Sequence, residues 1–193
     1  MKRIFIICVL VLTGSWASAQ SLDTLNTEGL SKREIKKLKW KKAQEKRKLE
    51  QEAQIKLAKS LLDSGSFIVE CDMLYGRYGG TLPVNPGTNF FAIHGEDVTF
   101  QIGTEVGHLG YNGIGGITVD GKAKNYKAKT RKKSMYARTQ VMSPIGTYSV
   151  SVTAVTSENV RVRISGNWGH SIEMEGRIKP LEEHNVYKAT PII

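Results

Sequence analysis

Histidines and carboxylates are the side chains of this sequence best suited to metal binding or acid–base catalysis. None of the four histidines has metal-ligand spacing to another, and all fall in predicted turns or loops: His94, His108, His170 and His184. The pair Glu96-Asp97 falls in a hairpin turn. No set of these groups forms a recognisable catalytic constellation, so we predict no enzyme activity, no metal and no cofactor.

Three other features resemble reactive motifs without meeting their requirements. Residues 103–116 are rich in glycine but lack the Lys-Ser/Thr and the following helix of a phosphate-binding loop, so we interpret them as turns, a bulge or a flap over a barrel mouth. Ser143 lacks the G-x-S-x-G frame of a nucleophile elbow. Cys71 lies in an apolar strand pattern, which predicts a buried, inert thiol.

A dense basic cluster is the most distinctive chemical feature. It lies around one predicted hairpin and consists of Lys122, Lys124, Lys127, Lys129, Arg131, Lys132 and Lys133. Such a cluster can bind a polyanion, such as anionic lipid head groups or an acidic envelope polysaccharide. The alternative is a solvated edge hairpin, because lysines commonly protect sheet edges from pairing with other chains. The sequence leaves both interpretations open.

The amino-terminal segment has the three parts of a cleavable signal peptide. Lys2 and Arg3 precede an apolar run over residues 4–12, and Ala17-Ser18-Ala19 supplies the small residues of a cleavage site. We therefore predict a signal peptide over residues 1–19, cut after Ala19, and an exported protein, either periplasmic or secreted. No other stretch is long enough to span a membrane as a helix, so we expect no transmembrane segment after cleavage.

A long basic helix is predicted over residues 31–64, after a flexible leader at 20–30. Ser31 and Glu34 form a capping-box pattern, and Gly65 provides a stop. Residues 32–63 carry 12 Lys or Arg against five Asp or Glu, whereas residues 64–193 carry 14 against 11. Most of the positive charge therefore belongs to the helix. Its apolar residues Ile55, Ala58, Leu61 and Leu62 predict a stripe that packs on the following domain.

The remainder, residues 66–193, has the period-two pattern of an antiparallel β-domain. About eight or nine short strands follow one another with no helix between them. This predicts a mainly β protein: an antiparallel meander of eight or nine strands, closed as a lipocalin-like barrel or folded as a sandwich, preceded by one long charged helix. The sequence does not distinguish barrel from sandwich.

The last two strands carry enough pattern to predict their register. Pairing 160–164 with 172–178 around Trp168 places Arg163 opposite Glu173 and Arg161 opposite Glu175. The same register places apolar residues opposite each other on the other face, so one alignment satisfies both faces.

Several strings resemble a family of uncharacterised exported proteins from Bacteroidota-type bacteria, catalogued as a domain of unknown function. The similarity spans about residues 31–190, and its most specific part is Gly116-Ile117-Thr118-Val119 with the preceding glycine. The matching strings are FIVE at 67–70, NFFAI at 89–93, GIGGITVDG at 113–121, NYK at 125–127, PL at 180–181 and NVYK at 185–188. The resemblance implies export and a helix followed by a β-domain. Members often carry a lipoprotein signal, from which this chain departs because it has no Cys at the cleavage site.

Two functions are compatible with these features. The first is an exported, non-catalytic protein that binds a small apolar or amphipathic ligand in a β-barrel, as barrels of about eight strands can. The second is a cell-envelope structural or interaction protein, whose basic helix and basic hairpin contact anionic surfaces or a protein partner. Nucleic acid is not an expected partner of an exported protein. The sequence gives no indication of oligomeric state.

Overall fold

The computed structural model describes residues 31–76, 80–104, 115–166 and 171–191. Internal contacts separate a first unit that ends at Glu45 from a second unit that begins at Lys46. The predicted signal peptide and flexible leader lie outside the described residues, and so does Trp168.

Helix α1 spans Lys32–Ser64, which confirms the predicted long helix. At its start, the Ser31 amide donates to Glu34 Oε2 at 2.9 Å and the Glu34 amide donates to Ser31 Oγ at 3.3 Å, which is the predicted capping box. At its end, Gly65 takes a positive φ of 66°, a conformation that glycine adopts without a steric penalty. The described helices include none that is long and apolar enough to cross a membrane.

Nine antiparallel strands follow the helix. They are β1 (Ser66–Tyr75), β2 (Thr81–Pro83), β3 (Phe90–His94), β4 (Asp97–Gly103), β5 (Gly116–Arg131), β6 (Ser134–Ser143), β7 (Gly146–Thr156), β8 (Asn159–Gly166) and β9 (Ser171–Lys179). A short 3₁₀ turn, Leu181–Glu183, follows β9.

The sheet closes on itself as an eight-stranded barrel. Successive strands from β3 to β9 pair with their neighbours, and β1 pairs with β3 on one side and with β9 on the other. Ile68 lies opposite Ala92 of β3 and opposite Lys179 of β9, which fixes this closure. Of the two predicted β architectures, the barrel is the one that forms.

Strand β2 is the described strand that the sequence pattern did not predict. It has three exposed residues and pairs only with the end of β1, where Met73 lies opposite Pro83. A three-residue strand that ends in proline carries no usable alternation, since proline cannot donate to a ladder.

The register predicted for β8 and β9 is confirmed in each pair. Arg161 lies opposite Glu175 and Arg163 opposite Glu173, while Val162 lies opposite Met174. The ion pairs differ from the prediction, however, because Arg161 contacts both carboxylates, Glu173 at 3.0 Å and Glu175 at 2.8 Å.

The interior face of the barrel is one continuous apolar core. Phe67, Val69 and Phe91 are fully buried in it, together with inward-facing residues of the other long strands. Ala58, Leu61 and Leu62 of α1 join the same core, which confirms the predicted packing of the helix stripe. The second half of the helix therefore contributes to the barrel core, as an amphipathic helix does on a sheet.

The segment after the 3₁₀ turn packs against the outside of the barrel through buried Gln101. The Gln101 side-chain amide donates to the Tyr187 carbonyl at 2.7 Å and to the Thr88 carbonyl at 3.0 Å. Its Oε1 accepts from the Ala189 amide at 2.7 Å and from the Thr118 hydroxyl at 2.9 Å. Because the whole hydrogen-bonding capacity of Gln101 is satisfied, this polar group can be buried without a net penalty.

Candidate functional site

A β-bulge in β5 lets lysines on both sides of it face outward from the barrel. The register with β6 shifts between Lys124 and Lys127, where Asn125 has a positive φ of 56°. A bulge adds one residue to a strand, so side chains on either side of it can keep the same orientation despite their odd separation. Asn is among the residues that best tolerate this backbone conformation.

The seven predicted basic residues do not form one uniform cluster. Lys122 lies within 2.6 Å of Asp97, and this hydrogen bond raises the pKa of Lys122 and lowers the pKa of Asp97. Lys132 and Lys133 form the turn between β5 and β6. The remaining four residues are exposed on β5: Lys124, Lys127, Lys129 and Arg131. Ala123 and Ala128, which face inward, lie between them in the sequence.

Two arginines that the sequence analysis did not assign to the site extend this basic surface. Arg138 lies opposite Lys127 on β6, and Arg163 lies on β8. The strand register places Arg138, Ser151 and Arg163 in one row across β6, β7 and β8. A sequence signal for this surface exists, because no Asp or Glu occurs between Asp120 and Glu158.

An open groove of about 460 Å³ lies on this outer face of the barrel. Its two arginines are Arg138 and Arg163, and its one apolar lining residue, Val150, is itself buried in the barrel core. The full lining is Asn125, Arg138, Thr139, Gln140, Ser149, Val150, Ser151, Arg163 and Ser165. We call it the serine groove, after Ser149, Ser151 and Ser165. Its lining offers hydroxyl, amide and guanidinium groups for hydrogen bonding.

The described cations of the barrel divide into two groups. The first group has carboxylate partners within 4 Å and consists of Lys122, Arg161, Arg177, Lys179 and Lys188. The second has no ion pair among the residues the structure describes and consists of Lys124, Lys127, Lys129, Arg131, Lys132, Lys133, Arg138 and Arg163. All members of the second group lie on β5, β6, their turn or β8. We call this second group the basic sector.

Arg161 illustrates the contrast with its neighbour Arg163. Its guanidinium lies 5.0 Å from the centre of the Tyr75 ring, and the Tyr75 hydroxyl donates to Glu175 at 2.7 Å. The hydrogen bond from Arg161, with a further one from Tyr75, lowers the pKa of Glu175. Glu173 therefore forms its ion pair with Arg161, although Arg163 is the residue opposite it in the sheet.

The helix carries a second set of exposed lysines. Two of its cations form ion pairs one turn apart, Lys46 with Glu50 at 3.9 Å and Lys59 with Asp63 at 2.6 Å. Exposed pairs of this kind add little to stability. In the first unit, Trp40 is 60% exposed among these charged residues.

The other predicted chemical groups occupy separate places. Cys71 is buried in β1, and burial raises the pKa of its thiol, as predicted for an inert cysteine. His94 and His184 are exposed, whereas His108 and His170 lie outside the described residues. Within the described ranges, no three His, Cys, Asp or Glu side chains are grouped so that they could hold a metal ion.

Comparisons with known proteins identify a family but no activity. Residues 49–178 match the family model described as "Domain of unknown function (DUF4251)". The chain is similar to the crystal structure of a DUF4251 family protein from Bacteroides eggerthii DSM 20697, with 26% identity and a TM-score of 0.59. That match covers 69% of this chain and 91% of the other. No curated protein sequence matches the chain.

Proposed function

Because the chain belongs to the DUF4251 family, whose description names no activity, we propose a function from the geometry of its surface. The protein is a non-catalytic component of the cell envelope, exported by the predicted signal peptide, and it binds an acidic polysaccharide through the basic sector. The proposal narrows the second function compatible with the sequence, a cell-envelope interaction protein, to one class of polyanion and one face of the barrel.

The observation that carries the proposal is the segregation of unpaired charge. Every described cation of the barrel outside the basic sector has a carboxylate partner. The cations of the basic sector have no carboxylate partner among the described residues, and no Asp or Glu occurs in β6, in β7 or in the part of β5 after Asp120. Uncompensated positive charge on one face attracts polyanions and raises their association rate. If these charges served only solubility, positively and negatively charged side chains could be interspersed on this face.

The spacing of the cations favours a polymer over a small ion. Side chains on one face of a strand repeat about every 7 Å, so Lys127, Lys129 and Arg131 present charges along a line. An extended polyanion can contact several of these charges together, and the contacts then reinforce one another.

Edge protection explains only part of the sector. Residues 124–131 of β5 pair with β6 alone, so lysines there also keep other strands from adding to this edge. Arg138 and Arg163 lie on strands that are paired on both sides, where there is no edge to protect. Their place beside the lysines supports a binding role for the whole sector.

A polysaccharide suits the sector better than a lipid surface does. Peripheral membrane binding combines cations with exposed apolar anchors. The outward residues around the basic sector, on β5 to β8, are mainly cations, serines and amides, and the exposed large apolar side chains there are Tyr136, Met142 and Val155. Serine, asparagine and glutamine side chains can instead hydrogen-bond to sugar hydroxyls.

An apolar ligand inside the barrel is the less supported function. Interior side chains such as Phe67, Phe91 and Val141 are fully buried in one apolar core. The interior of an eight-stranded barrel is just wide enough for side chains to fill or for one small ligand, and the buried apolar side chains on every long strand favour the first. Native mass spectrometry of protein purified from its own host tests this alternative, and a co-purifying apolar ligand would support it.

Binding to polygalacturonate, measured by biolayer interferometry at two salt concentrations, tests the proposal. The triple variant Lys127→Gln, Lys129→Gln and Arg131→Gln should weaken binding about tenfold or more, and salt should weaken binding by the wild type. The matched control, Lys36→Gln, Lys37→Gln and Lys39→Gln, removes the same charge from exposed helix positions and should change binding less than threefold.

Three comparisons would contradict the proposal. Equal losses in the two triple variants would mean that net charge, and not the sector, determines binding. Equal binding to neutral dextran would exclude recognition of charge. Strong binding to phosphatidylglycerol vesicles without binding to polygalacturonate would assign the sector to a membrane surface.

A further inference from the structure

The serine groove has the composition of a recognition site for a charged, hydroxylated group. Its volume of about 460 Å³ lies within the usual range for small-ligand sites. Unlike the exposed lysines of β5, which lie along a line, its two arginines flank a concave surface lined by Ser149, Ser151 and Ser165.

The register of three strands sets the separation of the two arginines. Arg138 lies opposite Ser151, and Ser151 lies opposite Arg163. Two strand spacings separate the arginine Cα atoms by about 10 Å. Long side chains that start from these positions on one face can both reach an anion held above Ser151. The adjacent row, Gln140, Ser149 and Ser165, supplies neutral hydrogen-bonding groups beside it.

Both arginines lack a carboxylate partner among the described residues. Arg163 lies opposite Glu173, yet the Glu173 carboxylate contacts Arg161 at 3.0 Å. Two like charges two strands apart on the same face of the sheet disfavour each other, and an anion between them would relieve this repulsion. Arginine also presents a planar fork that matches carboxylate, phosphate and sulfate groups, which a lysine does not.

We infer that Arg138 and Arg163 bind one oxyanion substituent of an acidic sugar in the serine groove, while its serine, asparagine and glutamine side chains bind the sugar hydroxyls. This inference rests on the proposed function and assigns the groove as the site where the anionic residue of the polysaccharide is recognised. The remaining cations of the basic sector supply the longer-range attraction.

A nitrogen-15 NMR titration with monosaccharides tests this assignment directly. The probes are glucuronate, glucose 6-phosphate and glucose 6-sulfate, with neutral glucose and inorganic sulfate as comparisons. We expect the charged sugars to shift the amide signals of Ser151 and Arg163, and to bind more tightly than either glucose or sulfate. Arg138→Gln and Arg163→Gln should each weaken binding about tenfold or more.

Arg177→Gln is the matched control, because Arg177 is an exposed arginine of the same barrel on β9, outside the groove. It should leave the affinity for charged sugars within twofold. Arg138 and Arg163 are exposed, so their variants should keep the thermal stability of the wild type. Equal losses in all three variants, or shifts confined to residues outside the groove, would overturn the assignment.

The two proposals fail in different ways. If charged monosaccharides bind at the groove but polygalacturonate does not bind, the groove inference holds and the proposed polysaccharide function is wrong. If polygalacturonate binding depends on Lys127, Lys129 and Arg131 but not on Arg138 and Arg163, the function holds and the groove inference is wrong. Inorganic sulfate binding as tightly as glucose 6-sulfate would overturn the recognition of a sugar.

Discussion

The Tyr126 hydroxyl donates a hydrogen bond to the backbone carbonyl of Leu62, which joins the bulged part of β5 to the last turn of α1. The Tyr126 ring also packs beside Gly65, where an added Cβ would lie 3.5 Å from the ring. Carbonyls of the last helical turn have no partner within the helix, so this bond satisfies one of them. The β5 bulge thus shapes the basic sector and fastens the helix to the barrel.

Replacing Tyr126 with Phe should destabilise the protein by about 1 kcal/mol, because one partly buried hydrogen bond is lost while the ring packing remains. Urea denaturation measures the difference. The control Tyr136→Phe alters an exposed tyrosine on β6 and should leave the unfolding midpoint almost unchanged. Equal effects of the two changes would mean that the hydrogen bond to Leu62 contributes nothing.

Tyr126 should also make the protein sensitive to alkali. Burial raises its pKa to about 12, from an ordinary value of 10.0. The folded state therefore retains the phenolic proton after the unfolded chain has lost it, so this contribution is complete below pH 10 and declines between about pH 10 and 12. The free energy of unfolding of Tyr126→Phe should fall less steeply than that of the wild type over this interval. Parallel curves would contradict the assignment.

Gly176 is required where β9 passes the irregularity in β1. A Cβ at this position would lie 1.9 Å from the Glu70 carbonyl oxygen and 2.7 Å from the Cys71 Cα atom. Gly176→Ala should therefore destabilise the barrel by about 1–3 kcal/mol, which is the usual cost of overpacking a core. Gly80→Ala is the control, since its added Cβ has no described residue within 4 Å apart from its chain neighbours. Thermal unfolding of the two variants side by side gives the answer.

Glu175 should contribute stability that is lost in acid. Its hydrogen bonds to Arg161 and Tyr75 lower its pKa below the ordinary value of 4.5. The contribution is complete above about pH 4.5 and disappears as the pH falls through the lowered pKa, because the unfolded chain takes up the proton first. In Glu175→Gln, the decline of stability below pH 4.5 should be shallower. The exposed Glu183→Gln serves as the comparison, and an identical decline in both variants would refute the role of Glu175.

Gln101→Leu should release the segment that packs outside the barrel. The change leaves the Ala189 amide and the Tyr187 carbonyl without their side-chain partner, which should cost about 2 kcal/mol or more. Hydrogen exchange at Ala189 should accelerate more than exchange at buried strand amides such as that of Val162. The exposed Gln140→Leu should leave exchange at Ala189 unchanged, and unaltered exchange in Gln101→Leu itself would contradict the anchoring role.

The predictable parts of this fold are those in which local chemistry and long-range pairing agree. In β8, arginines alternate with Val160, Val162 and Ile164, and in β9 glutamates alternate with apolar residues. Only one register places arginines opposite glutamates on one face and apolar residues opposite each other on the other face, and that register forms. The capping box at Ser31 and Glu34 is equally local, since both partners lie within one helical turn. These features need no knowledge of the rest of the chain.

The groove was harder to predict because it depends on three strands and on charge competition. Alternation could place Arg138 and Arg163 on the outer face, but it did not indicate that Glu173 contacts Arg161 and leaves Arg163 without a carboxylate. Closure of the barrel depends likewise on pairing between its first and last strands. Local periodicity is the same in a barrel and in a sandwich, so it could not choose between them.

Pairing of β1 with β9 also determines when the protein can complete its structure. Each strand from β3 to β9 pairs with the strand next to it in sequence, whereas the pairing of β1 with β9 must wait until all the other strands have been synthesised. Contacts between distant parts of a chain form slowly, because the intervening loop must close first. Until β9 arrives, β1 and β8 each present an open edge that can capture another chain. Any product interrupted before Ser171 is therefore expected to aggregate, and complete translation is a condition for a closed barrel.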